Sequence, residues 1–315
     1  MGEPAVRGPQ RRVVAVVVTY NRLTLLQRLL DRLVHSDQLA EILVIDNAST
    51  DGTREWLAAP GPLGERGPVV HHRTLATNTG GAGGFHTGLQ WAIARDADLI
   101  WLMDDDGIPD PDCLELLLAR DGAFDFWGPA VLAEQDPERL CFPIRLPGTS
   151  RVVHDMDRVR AAAHGGLIAD VVIPFNGVLL TRELVQRIGL VREEFFIWGD
   201  DVEYLWRARA AGARIATIVE ARFLHPATDD LGTPMAWRRT TYNHSPSDLK
   251  HYCMARNNLV NLLDYYGAGH GFAFVAKTAW FYTFTRPSPG RLWLSARAMW
   301  AGLRGNFTGH RRYLR

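Results

Sequence analysis

The run Val13–Thr19, VVAVVVT, constrains this chain more than any other stretch. A β-branched run without polar alternation cannot keep one face in water, so it reads as a strand buried on both sides in a parallel sheet. Parallel strands need crossover connections, and helical patterns follow. Apolar residues recur at helical spacing over Leu23–Val34, with a second strand at Glu41–Asp46 and a short helix at Asp51–Ala58. Val69–Leu75 reads as a third strand, Phe85–Arg95 as a helix and Asp98–Leu102 as a fourth strand. This alternation predicts a doubly wound α/β sheet, which binds ligands at the carboxyl ends of its strands. Those ends carry Thr19-Tyr20-Asn21-Arg22, Asp46-Asn47, Thr77–Gly84 and Asp104-Asp105-Asp106.

Past Asp112 the pattern is less regular. Phe126–Leu132, Val171–Thr181 and Arg214–Val219 read as strands, and Arg182–Ile188 and Val202–Ala211 as helices. Pro226–Ser247 is a polar loop long enough for a substrate-covering role. Helices follow near Asp248–Tyr266, His270–Phe284 and Pro289–Leu303. The expected division is a catalytic domain over 1–235 and a helical extension over 236–315. With 315 residues, 47% hydrophobic and 22% charged, the chain can fill one large core.

A formal net charge of zero conceals an asymmetry, because residues 236–315 hold twelve Lys/Arg against two acids. There Trp237, Trp280, Trp293 and Trp300 are interleaved with Arg238, Arg239, Lys277, Arg286 and further arginines. Cations mixed with aromatics favour an anionic membrane surface; a helical hairpin with a solvated basic face is the competing reading. No nucleic-acid module accompanies the charge. Cys113, Cys141 and Cys253 form neither a disulfide framework nor a paired metal site, which fits a reducing cytosol. Without a signal-peptide pattern or a clean membrane span, the chain is expected to be cytoplasmic and soluble or peripheral.

Three consecutive carboxylates after the apolar Trp101-Leu102-Met103 repel one another and need compensation. A divalent cation on a diphosphate would supply it; a solvated acidic turn before Pro109 is the plainer alternative. The stretch Thr77-Asn78-Thr79-Gly80-Gly81-Ala82-Gly83-Gly84-Phe85 lets backbone approach a ligand and leads into a helix whose first amides favour anions, although many such turns are only turns. It does not match the Walker pattern, and it departs from GxGxxG in spacing and strand order. In Phe195-Phe196-Ile197-Trp198-Gly199-Asp200-Asp201-Val202, aromatics lead into two carboxylates at a helix start, where the dipole favours negative charge. That is either an acidic cap or a general base beside an aromatic wall for a sugar. His225 follows a strand; a lone histidine is commonly structural, but oxygen ligands plus one imidazole suit Mn2+, with Mg2+ the second candidate.

The set TYNR, IDNAST, NTGGAGGF, WLMDDD, FFIWGDDVEY and the later His-Pro resembles the family 2 glycosyltransferases. Within that family it is most similar to bacterial galactofuranosyltransferases and their rhamnosyltransferase relatives. The resemblance runs from Val13 to His225 and extends more loosely into Tyr252–Asn258, YCMARNN. It implies a GT-A type, Rossmann-like mixed sheet with a C-terminal helical extension, and an inverting, metal-dependent transfer from a nucleotide-sugar donor. By that resemblance Thr19 and Arg22 hold the uridine and diphosphate side of the donor, Asp46 accepts from the uracil N3–H, and Asn78 contacts the base region. Gly80 and Gly81 admit the nucleotide, and Asp104 contacts ribose or donor sugar with Asp105 in the same donor-binding set. Asp106 and His225 bind the metal, Asp201 deprotonates the acceptor hydroxyl, and Trp198 and Asp200 line the acceptor side. Where the family commonly has Asn-Leu-Gly-Gly, this chain has Asn78-Thr79-Gly80-Gly81, a change of local packing.

The implied donor is UDP-galactofuranose. The implied acceptor is a polyprenyl-diphosphate-linked glycan of cell-wall arabinogalactan assembly, met by a peripheral enzyme on the inner face of the plasma membrane. A rhamnosyltransferase using dTDP-rhamnose is the alternative. A noncatalytic sugar-nucleotide or glycan-binding protein is the alternative from another class, and the two acidic motifs with His225 speak against it. A nucleotidyltransferase would carry its Gly-rich anion loop after the first strand, where Thr19–Leu23 has none.

Overall fold

The computed structural model describes residues 11–59, 67–226, 232–235 and 240–314. Residue 236, where the extension was expected to begin, lies outside them, as do Trp237, Arg238 and Arg239. The first half alternates as expected: β1 Val13–Thr19, α1 Leu23–Leu33, β2 Glu41–Asp46, α2 Thr53–Ala58, β3 Val69–Thr74, α3 Gly80–Ala94 and β4 Leu99–Asp104. Strands β3, β2, β1 and β4 pair in parallel in that order. Every residue of β1 is buried. Val13, Ala15 and Val17 join Leu26, Leu29 and Leu30 of α1, while Val14, Val16 and Val18 join Phe85 and Leu89 of α3. Full burial of one such side chain stabilises by ~1.5–3 kcal/mol, so this strand ties helices on both faces to the sheet.

The second half winds differently. After β5 Ile108–Pro109, α4 Cys113–Leu118, β6 Phe126–Ala133, β7 Asp136–Arg145, β8 Val152–Asp155, α5 Met156–Ala162 and β9 Leu167–Ala169 comes β10 Asn176–Thr181. It inserts antiparallel between β4 and β6. Helices α6 Arg182–Ile188 and α7 Asp200–Ala210 lead to β11 Ile215–His225, parallel to β6 and antiparallel to β5. The sheet is therefore mixed, in the order β3-β2-β1-β4-β10-β6-β11-β5. β10 starts at Asn176 and not at Val171 because Phe175, at φ 60°, interrupts the extended backbone. β11 runs on past Val219 to His225 through a register shift between Ile218 and Arg222.

The glycine run differs most from expectation. It is no loop: α3 begins at Gly80, five residues before Phe85. A Cβ on Gly84 would collide with Val18, and one on Gly88 with Val16. These glycines therefore let α3 lie directly on β1, which is a packing role.

Within the segment read as a polar loop, β12 Thr233–Met235 and β13 Thr240–Tyr242 form a hairpin. Helices α8 Asp248–Tyr266, α9 Ala268–Trp280 and α10 Pro289–Leu303 follow, with α9 and α10 both packed on α8. Ser247 and Ser288 cap α8 and α10, each accepting from an amide three residues on, and Gly267 at φ 82° separates α8 from α9. Among the described residues, no helix is long and apolar enough to cross a membrane.

Candidate active site

The carboxyl ends of β1, β4 and β11 bring distant side chains together. Thr19 donates from Oγ1 to Asp105 Oδ2 at 2.6 Å. Arg22, one turn later, donates to Asp105 Oδ1 at 3.0 Å and Asp106 Oδ2 at 2.5 Å. His225 closes β11 with Nε2 3.3 Å from Asp106 Oδ1. That approach lacks hydrogen-bond alignment, and Oδ1 is buried with no hydrogen-bond partner. The other ring nitrogen, Nδ1, lies 2.8 Å from the Pro226 carbonyl oxygen. A carbonyl only accepts, so Nδ1 carries a proton, and the neutral ring would turn its Nε2 lone pair toward Asp106.

The charges of this cluster are strongly coupled. Burial, with Asp106, Asp105 and Asp200 adding, raises the Asp104 carboxyl well above its ordinary value. Burial also raises Asp105, against hydrogen bonding from Thr19 and the charge of Arg22. At Asp106 burial pushes the same way, but His225 and Arg22 outweigh it and hold the pKa below the carboxylate value. Burial disfavours the imidazolium of His225, yet the contacts with Asp106 and Cys141 prevail and push it up to about 10. Arg22 and His225 thus oppose the charge of the acids. Asp200 adds to the negative charge felt at Asp104, so the second acidic motif acts electrostatically on the first.

Asp200 and Asp201 open α7, Asp200 buried and Asp201 half-buried. Burial raises both carboxyls, Asp200 to about 8 with the neighbouring Asp201 charge adding. A carboxylate titrating nearer neutrality is a better proton acceptor at that pH. The turn before them is strained. Ile197 N donates to Phe195 O at 2.8 Å across Phe196, whose φ of 68° and ψ of −64° make the rare positive-φ form of γ-turn. Trp198, at φ 71°, is left-handed as well. Each such residue costs about 1–3 kcal/mol and persists only where its surroundings hold it.

Two elements hold it. From α3, Ala82 N donates to Phe196 O at 3.1 Å, and Gly80, at φ 73°, lies so close that any Cβ would collide with that oxygen. From α8, Asn257 Nδ2 donates to the carbonyls of Phe195 at 3.0 Å, Ile197 at 3.2 Å and Trp198 at 2.7 Å. Asn261 Nδ2 donates to Gly199 O at 2.8 Å, and Arg256 Nη2 to Phe195 O at 2.8 Å. All three of these α8 side chains are buried. The sequence reading gave none of them a role. Their signal was present, since a cation and two amides on the inner side of a helix must find partners.

Asp46 at the end of β2 is fully buried; Oδ1 accepts from Ser49 N at 2.9 Å, and Oδ2 has no hydrogen-bond partner. Asn47 accepts from Thr79 N at 2.8 Å and donates to Gly80 O at 2.8 Å, while Asn78 Oδ1 accepts from Gly80 N at 2.7 Å. These bonds hold the start of α3. Gly81 differs from its neighbours, because a Cβ there would meet nothing within 4 Å. Trp198, partly buried, packs on the cluster of Met235, Tyr242, Met254, Phe281 and Tyr282, so it joins the strained turn to the hairpin and the C-terminal helices. Among the described residues, no three His, Cys, Asp or Glu side chains form a ready-made metal group; Asp106 and His225 are a neighbouring pair.

Residues 14–143 match the family described as Glycosyl transferase family 2. Galactofuranosyltransferase GlfT1 of Mycolicibacterium smegmatis is 33% identical over 254 residues, which cover 78% of this chain and 81% of that protein. Galactofuranosyltransferase GlfT1 of Mycobacterium tuberculosis is 31% identical over 305 residues, 94% of this chain and 96% of its own length. Among solved structures, mannosyltransferase PcManGT from Pyrobaculum calidifontis, in complex with GDP-Man and Mn2+, has a TM-score of 0.52 at 18% identity. That likeness covers 94% of this chain and 76% of that one, and it shows the fold. With the mixed sheet, the converging acids and relatives of this similarity, the chain belongs to glycosyltransferase family 2 and is a glycosyltransferase of GT-A fold.

Proposed function

We propose that this glycosyltransferase is inverting and metal-dependent, and moves galactofuranose from UDP-galactofuranose to a polyprenyl-diphosphate-linked glycan acceptor in cell-wall assembly, as a peripheral enzyme of the inner membrane face. The carrying observation is the cluster of Asp105, Asp106, Arg22 and His225 at the strand ends, with the Asp200-Asp201 pair acting electrostatically on it, in a chain whose relatives are named galactofuranosyltransferases. Asp46 supports a pyrimidine nucleotide, because its buried, unpartnered Oδ2 suits a base N–H. Thymine offers the same N3–H as uracil, and this favours dTDP-rhamnose as the second reading.

Asp106 and His225 fit a divalent cation, since Asp106 Oδ1 is buried without a hydrogen bond and Nε2 faces it. Mn2+ or Mg2+ held there would neutralise charge on the diphosphate. Thr19 fixes Asp105, and Arg22 brings a guanidinium to the same place. Asp201 accepts the proton of the acceptor hydroxyl as that oxygen bonds to the anomeric carbon. The bond from that carbon to the diphosphate oxygen breaks on the opposite face, so the configuration inverts. Trp198 would stack on the acceptor sugar, with Asp200 buried behind the base.

A donor panel tests this reading. With Mn2+ and a lipid-like disaccharide acceptor, UDP-galactofuranose should be consumed, and UDP-galactopyranose and dTDP-rhamnose should not. Transfer of rhamnose alone selects the second reading, and no transfer from any donor refutes both. Asp201→Asn should slow transfer by roughly 10²–10⁴-fold while UDP affinity by titration calorimetry stays close to the parent value. Asp106→Ala should lose donor affinity and metal response together.

A further inference from the structure

Helix α9 is apolar on its outside. Its sequence, AGHGFAFVAKTAW, carries few polar groups, yet only Gly271 and Thr278 are buried. Phe272 is 76% exposed and Val275 40%. The turn after α9 leaves Phe284 66% exposed, and α10 presents Trp293 at 71% and Trp300 at 59%, two helical turns apart. The inner side of α10, with Leu294, Ala298 and Met299, packs on α8, so its tryptophans stand on the opposite side. Single exposed apolar residues are ordinary, but a helix face, a turn and a second helix bared together mark an interaction surface.

Charge identifies the occupant. From Ala268 to Leu314 there is no Asp or Glu, and Lys277, Arg286, Arg297 and Arg304 lie among the aromatics. Aromatic rings with cations and no acids match an anionic bilayer surface, where rings enter the interfacial layer and guanidinium groups meet phosphates. A two-fold contact with a second copy would set cation against cation. We infer that α9, the turn Phe281–Thr285 and α10 form a docking face that seats the protein on an anionic lipid surface. The inference deepens the proposed function, with which it shares the lipid-linked acceptor. It also gives the surface a route to the site: α8 carries α9 and α10, and Asn257 and Asn261 of α8 hold the turn before the Asp200-Asp201 pair.

Vesicle sedimentation of the full-length chain tests it. The protein should bind vesicles of phosphatidylglycerol and phosphatidylcholine in equal parts, and bind pure phosphatidylcholine far less. Replacing Phe272, Phe284, Trp293 and Trp300 with Ala should weaken anionic-vesicle binding at least roughly tenfold, with thermal unfolding unchanged because these side chains are exposed. The variant should transfer sugar to a short water-soluble acceptor like its parent, and lose transfer to an acceptor embedded in vesicles. Equal sedimentation of parent and variant, or no binding of the parent, overturns the inference. A parent dimer that the substitutions make monomeric, without vesicle binding, overturns it in favour of self-association. Sedimentation reads no transfer, so an inactive donor panel with intact vesicle binding would sink the functional reading alone.

Discussion

Gly80 and Gly81 are adjacent and do different work. At Gly80 a side chain would meet both a positive φ and the Phe196 carbonyl, whereas at Gly81 it would enter open space. Gly80→Ala should therefore destabilise the fold by roughly 1–3 kcal/mol. Gly81→Ala should leave thermal unfolding in place and weaken UDP binding in a calorimetric titration; equal unfolding shifts in the two variants would contradict the assignment. Asp200 makes a pH-dependent prediction. Its carboxyl, ordinarily at 3.8, is raised by burial and Asp201 to about 8 in the fold. Between those values the folded protein keeps a proton that the unfolded chain has released, so the stabilisation is full below the lower value and lost as pH rises through the upper one. Asp200→Asn, which cannot ionise, should gain in thermal stability over its parent between about pH 5 and about pH 9. A pH-independent difference would count against it. At this scale the sequence singled out Asp106 and His225, which the fold brings together, while the α8 amides showed only that they need partners and not that these are the carbonyls of a distant turn.

Helix α8 acts on the site without lying at a strand end. Asn257→Ala would remove the amide shared by the carbonyls of Phe195, Ile197 and Trp198. A buried carbonyl left unpaired costs about 1–3 kcal/mol, enough to let a strained turn relax. We expect kcat to fall by roughly 10–100-fold while the donor KM changes little, because the groups proposed to hold the donor sit at the ends of β1, β2 and β4 and the start of α3. A rise in KM with unchanged kcat would remove Asn257 from this role. The first four strands were legible because a period of two or an unbroken apolar run marks a strand locally. The antiparallel insertion of β10 was not, since no local pattern states the direction of pairing. The glycines of α3 were ambiguous for a related reason: absent side chains tell where something comes close, not whether it is the neighbouring strand, as at Gly84 and Gly88, or open space for a ligand, as at Gly81.

Composition divides this chain near residue 236, where basic and aromatic residues take over. Packing crosses that line. His310 stacks on Phe196 at 4.4 Å and Phe307 on Phe195 at 5.6 Å, so the last described segment closes over the same turn that α8 grips. Charge and hydropathy reveal the change of surface, while the contacts that cross it depend on tertiary folding and are invisible to both. A practical result concerns anyone shortening the protein. A fragment cut at the composition change should still recognise a pyrimidine nucleotide, yet leave the turn before Asp201 unsupported and lose its turnover. Adding the missing helices back as a separate polypeptide, and measuring recovered transfer, would show how firmly the grip must be covalent.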